Sequence, residues 1–321
     1  MISGLSSFFA PYLKEMMSIK RNSGFDLNYM DSHIVDFDVF CKTTFPAKRQ
    51  LDQELVETWV YNTKSNSRIE LSKRILTMRH FANYLSSIDM EAYLCPIRIK
   101  IPKSPMPHIF TDEQLAEFFF ACDSYKPTHI FPYRHILIPT MFRMIYCCGL
   151  RSSEACNLKR GDVDLNSGIL KIIASKICKD RVVYLTPDML KLCVKYDAAM
   201  EILIPMREYF FPRRDNKHFT SHAIAKCFNQ LLKKTSFYNK TSKKPTCHGL
   251  RHVFAINSMR QCIANGDNFD SYIHYLSKYM GHKNPQETMY YLHMTASIAS
   301  ELREKAKGFD DVIGGQFYVE E

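Results

Sequence analysis

The chain has 321 residues, with 43 Lys and Arg against 33 Asp and Glu, for a formal net charge of +10. At 46% hydrophobic and 24% charged residues it has the composition of a folded globular protein, which excludes wholesale disorder, and its length favours two domains over one core. No run approaches the ~18 consecutive apolar residues of a membrane span. The N-terminal MISGLSSFFAPYLKEMM lacks a basic stretch ahead of its apolar residues, so it reads as an amphipathic helix and not as a signal peptide. The 11 cysteines are odd in number and scattered, with no C-x-x-C pair, so free buried thiols in a cytoplasmic protein are expected and a zinc module is not. His218 and His222 stand at i, i+4, but nothing nearby completes a metal site, and neither metal nor cofactor is expected.

In chain order, Leu5, Phe8, Phe9, Tyr12, Leu13 and Met16 recur at helical spacing. Further helical patterns cover about 30–42, 52–62 and 66–87, a set that makes a compact bundle. Residues 88–110 change character: CPIRIKIPKSPMP carries four prolines and three basic residues, Arg98, Lys100 and Lys103, and reads as a semi-extended linker. Thr111 followed by Gln114 predicts a capping box ahead of the apolar run Leu115 to Phe120. A helix over 134–148 ends at Gly149 and another starts near Ser152. DVDLNSGILKIIASKICKDRVVYL alternates as three short antiparallel strands, with turns at Asn166–Gly168 and around Lys176 to Asp180. Thr186-Pro187 opens a helix to about 203, and others follow near 221–235, 248–263, 269–280 and 294–307. The organisation is then a helical domain (1–100), a linker (101–110), a second domain (111–308) and a tail (309–321). The fold class is mainly α with one small antiparallel β-sheet.

The excess of positive charge suggests a polyanionic partner, and its distribution is uneven. Lys233, Lys234, Lys240, Lys243 and Lys244 fall in KKTSFYNKTSKK, which has no acid, while Asp310, Asp311, Glu320 and Glu321 crowd the chain end. Four clusters in the second domain carry chemistry. In C-G-L-R-S-S-E-A, Gly149 permits a close turn, Arg151 emerges at a helix start, and Glu154 three residues on is placed to hold its guanidinium. In H-G-L-R-H, His248 and Arg251 share a helical face. In Y-M-G-H-K-N-P-Q-E-T-M-Y-Y-L-H, a helix ends at Gly281, His282 follows, and Tyr290 and Tyr291 come next. Lys176 sits in the strand turn. Taken singly these also read as a helix-terminal ion pair, a structural histidine, packing tyrosines and a solvated lysine.

Their order and spacing resemble the tyrosine recombinase (phage integrase) family over about residues 111–295. The resemblance implies a SAM-like helical core-binding domain followed by an α+β catalytic domain. It matches Arg151 and Arg251 to the two arginines that clamp a scissile phosphate, Lys176 to the β-turn lysine, and His248 to the first residue of the His-x-x-Arg box. His282 matches the later His or Trp position, and Tyr291 the nucleophile, favoured over Tyr290 by its distance from Gly-His. Glu154 is a supporting residue. Where the family turn reads Gly-Lys-Gly, this chain has Ser175 and Ile177, which leaves Lys179 as a rival to Lys176. The implied activity is site-specific breaking and rejoining of DNA through a 3′-phosphotyrosyl link, for integration, excision or transposition of a mobile element.

The implied partners are double-stranded DNA, three further copies of the chain on paired sites with the C-terminal segment docking in trans, and accessory DNA-bending or partner recombinase proteins. Arg98, Lys100, Lys103 and the five lysines of 233–244 are the expected phosphate contacts, in a nucleoid-associated cytoplasmic protein without a membrane partner. A type IB topoisomerase or telomere resolvase shares the chemistry, and a catalytically silent DNA-binding regulator shares the scaffold. The chemical competence of all six matched positions argues against the silent form.

Overall fold

The computed structural model describes residues 4–23, 28–62, 67–96, 107–127, 129, 132–173, 180–282, 285–289 and 291. Contacts divide the chain into two units, Met1–Pro105 and Met106–Glu321. The first is helical and the second is helical around a three-stranded antiparallel sheet, the expected fold class. No helix among the described residues is long and apolar enough to cross a membrane.

The first unit holds α1 (Ala10–Asn22), α2 (Asn28–Thr44), α3 (Gln53–Tyr61) and α4 (Arg68–Ser86). Helix α1 starts later than the periodicity suggests because Pro11 occupies its first turn, where a missing N–H is harmless and the fixed φ suits the helix. Leu5 and Phe9 still pack into the core from the preceding turn, which Asp38 holds by accepting the backbone N–H groups of Ser6 (2.8 Å) and Ser7 (3.0 Å). Trp59 is wholly buried. Phe37 meets its ring edge-on at 5.3 Å, and the Arg74 guanidinium lies 4.2 Å from its centroid. Arg74 also donates to the carbonyls of Trp59 (2.8 Å) and Asn62 (2.7 Å), satisfying the end of α3, and pairs with Asp36.

The stretch read as extended linker from residue 88 is, through Cys95, part of this unit. Leu51 bridges Ala92, Cys95 is buried, and Arg79 donates to the Cys95 carbonyl at 2.5 Å. Met90, Tyr93 and Cys95 supply apolar surface, and that burial prevails over the loop character of the neighbouring prolines. Arg98, Lys100 and Lys103 lie outside the described residues.

The second unit opens with α5 (Asp112–Asp123), whose capping box is complete: Gln114 N–H donates to Thr111 Oγ1 (3.3 Å) and Thr111 N–H to Gln114 Oε1 (3.2 Å). Then come α6 (Arg134–Cys148) and α7 (Ser152–Asn157). The strands are β1 (Val163–Asp164), β2 (Ile169–Ile172) and β3 (Arg181–Tyr184), ordered β1-β2-β3 with Leu170 opposite Val183. Helices α8 (Pro187–Leu203), α9 (Ser221–Leu232), α10 (Cys247–Ala264), α11 (Phe269–Met280) and α12 (Pro285–Met289) complete the unit's described helices. Helix α6 is the core element; its Leu137, Met141 and Phe142 are wholly buried, and it packs on α5, α8 and α10.

Two helix ends position the polar cluster of the second unit. α6 stops at Gly149 and α11 at Gly281, both left-handed, with φ of 61° and 65°. A Cβ at Gly149 would lie 2.4 Å from the Phe254 ring. We expect Gly149→Ala to cost about 2–4 kcal/mol, from the left-handed backbone and overpacking together. Urea unfolding measures this, and a wild-type midpoint would contradict the packing described.

Candidate active site

Arg151 is the residue just before α7, in extended backbone. Its position lets Glu154, one turn inside, fold back: Glu154 accepts from the Arg151 backbone N–H (2.8 Å) and from Arg151 Nη1 (2.9 Å). Arg151 Nη2 donates to the Gly281 carbonyl at 2.6 Å. The helix end at Gly149 thus aims Arg151 at the end of α11, 130 residues away along the chain.

Arg251 enters from α10 with its side chain wholly enclosed. Its Nη1 donates to the Gly149 carbonyl (2.7 Å) and its Nη2 to that of Met280 (2.6 Å), so one guanidinium ties the ends of α6 and α11 together. Nη1 is also 3.8 Å from Glu154 Oε2, while its Nε has no hydrogen-bond partner among the described residues. Burial, then the charge of Arg151, pulls the Arg251 pKa down to about 10 against the opposing pull of Glu154. It remains charged at neutral pH.

Burial would raise the Glu154 carboxyl. Hydrogen bonds and charge from Arg181, the Arg151 N–H and the Arg251 charge outweigh it and hold the group at about 2. Arg181, the first residue of β3, was not singled out in the sequence. Both its Nη atoms donate to Glu154 at 2.8 Å, and its Nε donates to the Tyr279 carbonyl at 2.7 Å. Strand alternation carries the missed signal, since Arg181 faces the same side as buried Val183, where an arginine must find a partner.

Four rings complete the site. His248, at the start of α10, meets His252 edge-on at 4.5 Å. His252 lies 5.2 Å from the Tyr291 ring, and His282 stacks on that ring at 5.9 Å. His282 Nδ1 shares a 2.7 Å hydrogen bond with Thr288 Oγ1, which fixes the ring after the α11 turn. Tyr291 is buried and hydrogen-bonded to Arg251. Burial raises its phenol and the charge and hydrogen bond of Arg251 oppose that rise. His252, the second histidine of H-G-L-R-H, was also missed; helical spacing places it one residue past the Arg251 face, and only the fold brings Tyr291 against it.

All three histidines are neutral at physiological pH. Partial enclosure of the ring followed by the charges of Arg251 and Arg151 lowers His248 to about 4, although the residue is exposed at the surface, and burial followed by the same charges lowers His282 to about 3. Burial, then His248 and Arg251, lowers His252 to about 3. The site therefore gathers Arg151, Glu154, His248, Arg251, His282 and Tyr291. Lys176, its rival Lys179, and Tyr290 lie outside the described residues. Lys233, Lys234, Lys240, Lys243 and Lys244 are exposed on the second unit, without an ion pair among the described residues.

Neutral burial of His252 has a consequence in acid. The unfolded chain protonates this histidine near pH 6.5 and the folded one only near 3, so between those values the unfolded state binds more protons. Its contribution to stability is complete above pH ~6.5 and is lost as pH falls toward 3. We expect the urea midpoint of the wild type to fall from pH 7 to 4 more steeply than that of His252→Phe, which keeps a ring and removes the titration. Equal slopes would contradict a buried neutral His252.

Comparison with known proteins places the chain in a family. The phage integrase family model matches residues 109–297. A putative integrase/recombinase, y4rE of Sinorhizobium fredii, is 27% identical over 267 residues, covering 81% of this chain and 83% of that protein. The tyrosine recombinase XerA of Thermococcus onnurineus is 30% identical over 216 residues, 67% of each chain. Among solved structures, the XerH site-specific recombinase bound to a palindromic difH substrate shares the fold, with a TM-score of 0.63 at 17% identity over 86% of this chain and 78% of that one. With more than half of its length matched by the family model, the chain belongs to the phage integrase family of site-specific tyrosine recombinases.

Proposed function

We propose that the protein cuts and rejoins double-stranded DNA at specific sites through a transient 3′-phosphotyrosyl bond on Tyr291, serving the integration, excision or transposition of a mobile element. The observation that carries this reading is the gathering of Arg151, Arg251, His252 and His282 around one buried tyrosine, with His248 against His252, from helices far apart in sequence.

Each group has a chemical task. Attack on a phosphodiester concentrates negative charge on two non-bridging oxygens, and planar guanidiniums meet such oxygens with paired hydrogen bonds. Arg151 and Arg251 take that task. The Tyr291 phenol is protonated at rest and needs a base as it attacks. Neutral His248 accepts its proton, and His282 donates to a phosphate oxygen. Because Tyr291 covers Arg251, its ring must shift when the phosphate arrives. The new bond joins the Tyr291 oxygen to phosphorus, and the bond to the 5′-oxygen breaks. That oxygen leaves as a hydroxyl with a proton from Lys176, or from its rival Lys179. Attack by a 5′-hydroxyl on the phosphotyrosine reverses the sequence and reseals the strand. Neither metal nor cofactor has a part in this scheme.

The basic segment 233–244 and Arg98, Lys100 and Lys103 are proposed contacts to the DNA backbone, so affinity should fall steeply with salt. Four copies acting on paired sites, with the C-terminal segment docking in trans, is the proposed assembly. Accessory DNA-bending or partner recombinase proteins belong to the same reading.

The test is covalent trapping. Nicked duplexes from both ends of the element encoding the gene let the 5′-hydroxyl fragment diffuse away, and denaturing electrophoresis after incubation in EDTA detects the adduct. We expect the adduct with wild type and with Tyr290→Phe, and none with Tyr291→Phe; an adduct from Tyr291→Phe overturns the assignment. Arg151→Ala and Arg251→Ala are expected to lower cleavage by about 10²–10³-fold, the usual cost of removing a transition-state donor, with DNA binding reduced far less. Gel shift and single-turnover cleavage separate the two effects.

A further inference from the structure

Three guanidiniums surround the single carboxylate of Glu154, and only two of them have a role in the chemistry proposed above. The third, Arg181, is committed elsewhere: three of its five N–H groups are bonded to the two Glu154 oxygens and the Tyr279 carbonyl, and its side chain is 8% exposed. It is aimed at the carboxylate and at the end of α11. Its placement is nevertheless demanding. A Cβ at Gly281 would come within 2.9 Å of Arg181 Nη1 and 3.3 Å of Arg151 Nη1, so both guanidiniums lie close over a glycine in a left-handed turn immediately before His282, and a side chain there would push them from their partners.

We infer that Arg181 is a positioning residue for strand cleavage, which holds both oxygens of Glu154 and so keeps that carboxylate from closing on Arg251, leaving Arg251 to present its charge to the scissile phosphate beside Arg151, whose Nη1 already pairs with Glu154. This rests on the functional reading above. The carboxylate carries one negative charge against three positive ones, which leaves an excess of two in the site. Without Arg181 the excess falls to one. Glu154 Oε2 is 3.8 Å from Arg251 Nη1, near enough for the released carboxylate to close on Arg251 and neutralise it. In a site of low dielectric the charge of a freed carboxylate is felt strongly. Arg181, bonded to both carboxylate oxygens, thus keeps Glu154 from closing on Arg251. By holding Tyr279, Arg181 also fixes the strand against the end of α11, from which His282 follows.

A charge role and a purely structural role part company when Glu154 is neutralised as well. Single-turnover cleavage of the nicked duplex is measured for wild type, Arg181→Met, Glu154→Gln and the double variant, with DNA affinity and thermal unfolding alongside. We expect Arg181→Met to cleave about 100-fold more slowly while binding DNA within a few-fold of wild type. Removing the stray carboxylate should then restore at least tenfold, so that the double variant is faster than Arg181→Met. A double variant as slow as Arg181→Met, or slower, overturns the inference, as does Arg181→Met cleaving at the wild-type rate. If Arg181→Met shows no cooperative unfolding, Arg181→Lys takes its place: the retained charge should keep cleavage above that of Arg181→Gln, and equal rates for the two overturn the inference. Failure of the functional reading is distinct, because it appears in the wild type as an adduct that does not depend on Tyr291.

Discussion

One buried carboxylate organises the catalytic unit. Glu154 takes two hydrogen bonds from Arg181 and two from Arg151, and lies 3.8 Å from Arg251. Burying one such charge is costly unless it is fully paired, and no single element of this chain can pair it. The fold must bring a loop after α6, the first residue of β3 and the second turn of α10 to one point. Once there, the three arginines find their remaining partners in backbone carbonyls at the ends of α6 and α11. The orphan carbonyls of two helix ends and the surplus donors of three guanidiniums satisfy one another.

This economy explains why the two glycine caps are required. At Gly149 any side chain meets Phe254, and at Gly281 it meets Arg181 and Arg151. It also explains the histidines. Burial, and after it the positive charge gathered around Arg251, disfavours the charged form of His248, His252 and His282, so all three stay neutral. Each neutral imidazole keeps one ring nitrogen with a lone pair that can accept a proton or a hydrogen bond.

Much of this was legible in the sequence because the signals were local. Thr111 with Gln114 marked the start of α5, Thr186-Pro187 the start of α8, and Gly149 and Gly281 the ends of α6 and α11. The i, i+3 relations of Arg151 with Glu154 and of His248 with Arg251 sit within one turn of helix. What escaped was set by distant parts of the chain. Arg181 meets Glu154 across 27 residues and Tyr279 across 98, and nothing around Asp180-Arg181-Val182 names those partners. His252 touches Tyr291 only because α10 and the chain after α12 converge. The packed stretch through Cys95 was hidden by the prolines after it, whose local message is a loop.

The central claim is that unneutralised guanidinium charge stabilises the phosphate as negative charge develops on it. Its most direct test is to remove that charge from the substrate. A nicked duplex carrying a neutral methylphosphonate at the scissile position is compared with the normal phosphodiester, using wild type and Arg151→Ala. If the claim holds, Arg151→Ala cleaves the phosphodiester at least about 100-fold more slowly than wild type and cleaves the methylphosphonate at nearly the wild-type rate. An equal loss on both substrates would contradict it, and would make Arg151 a structural tie between α7 and α11.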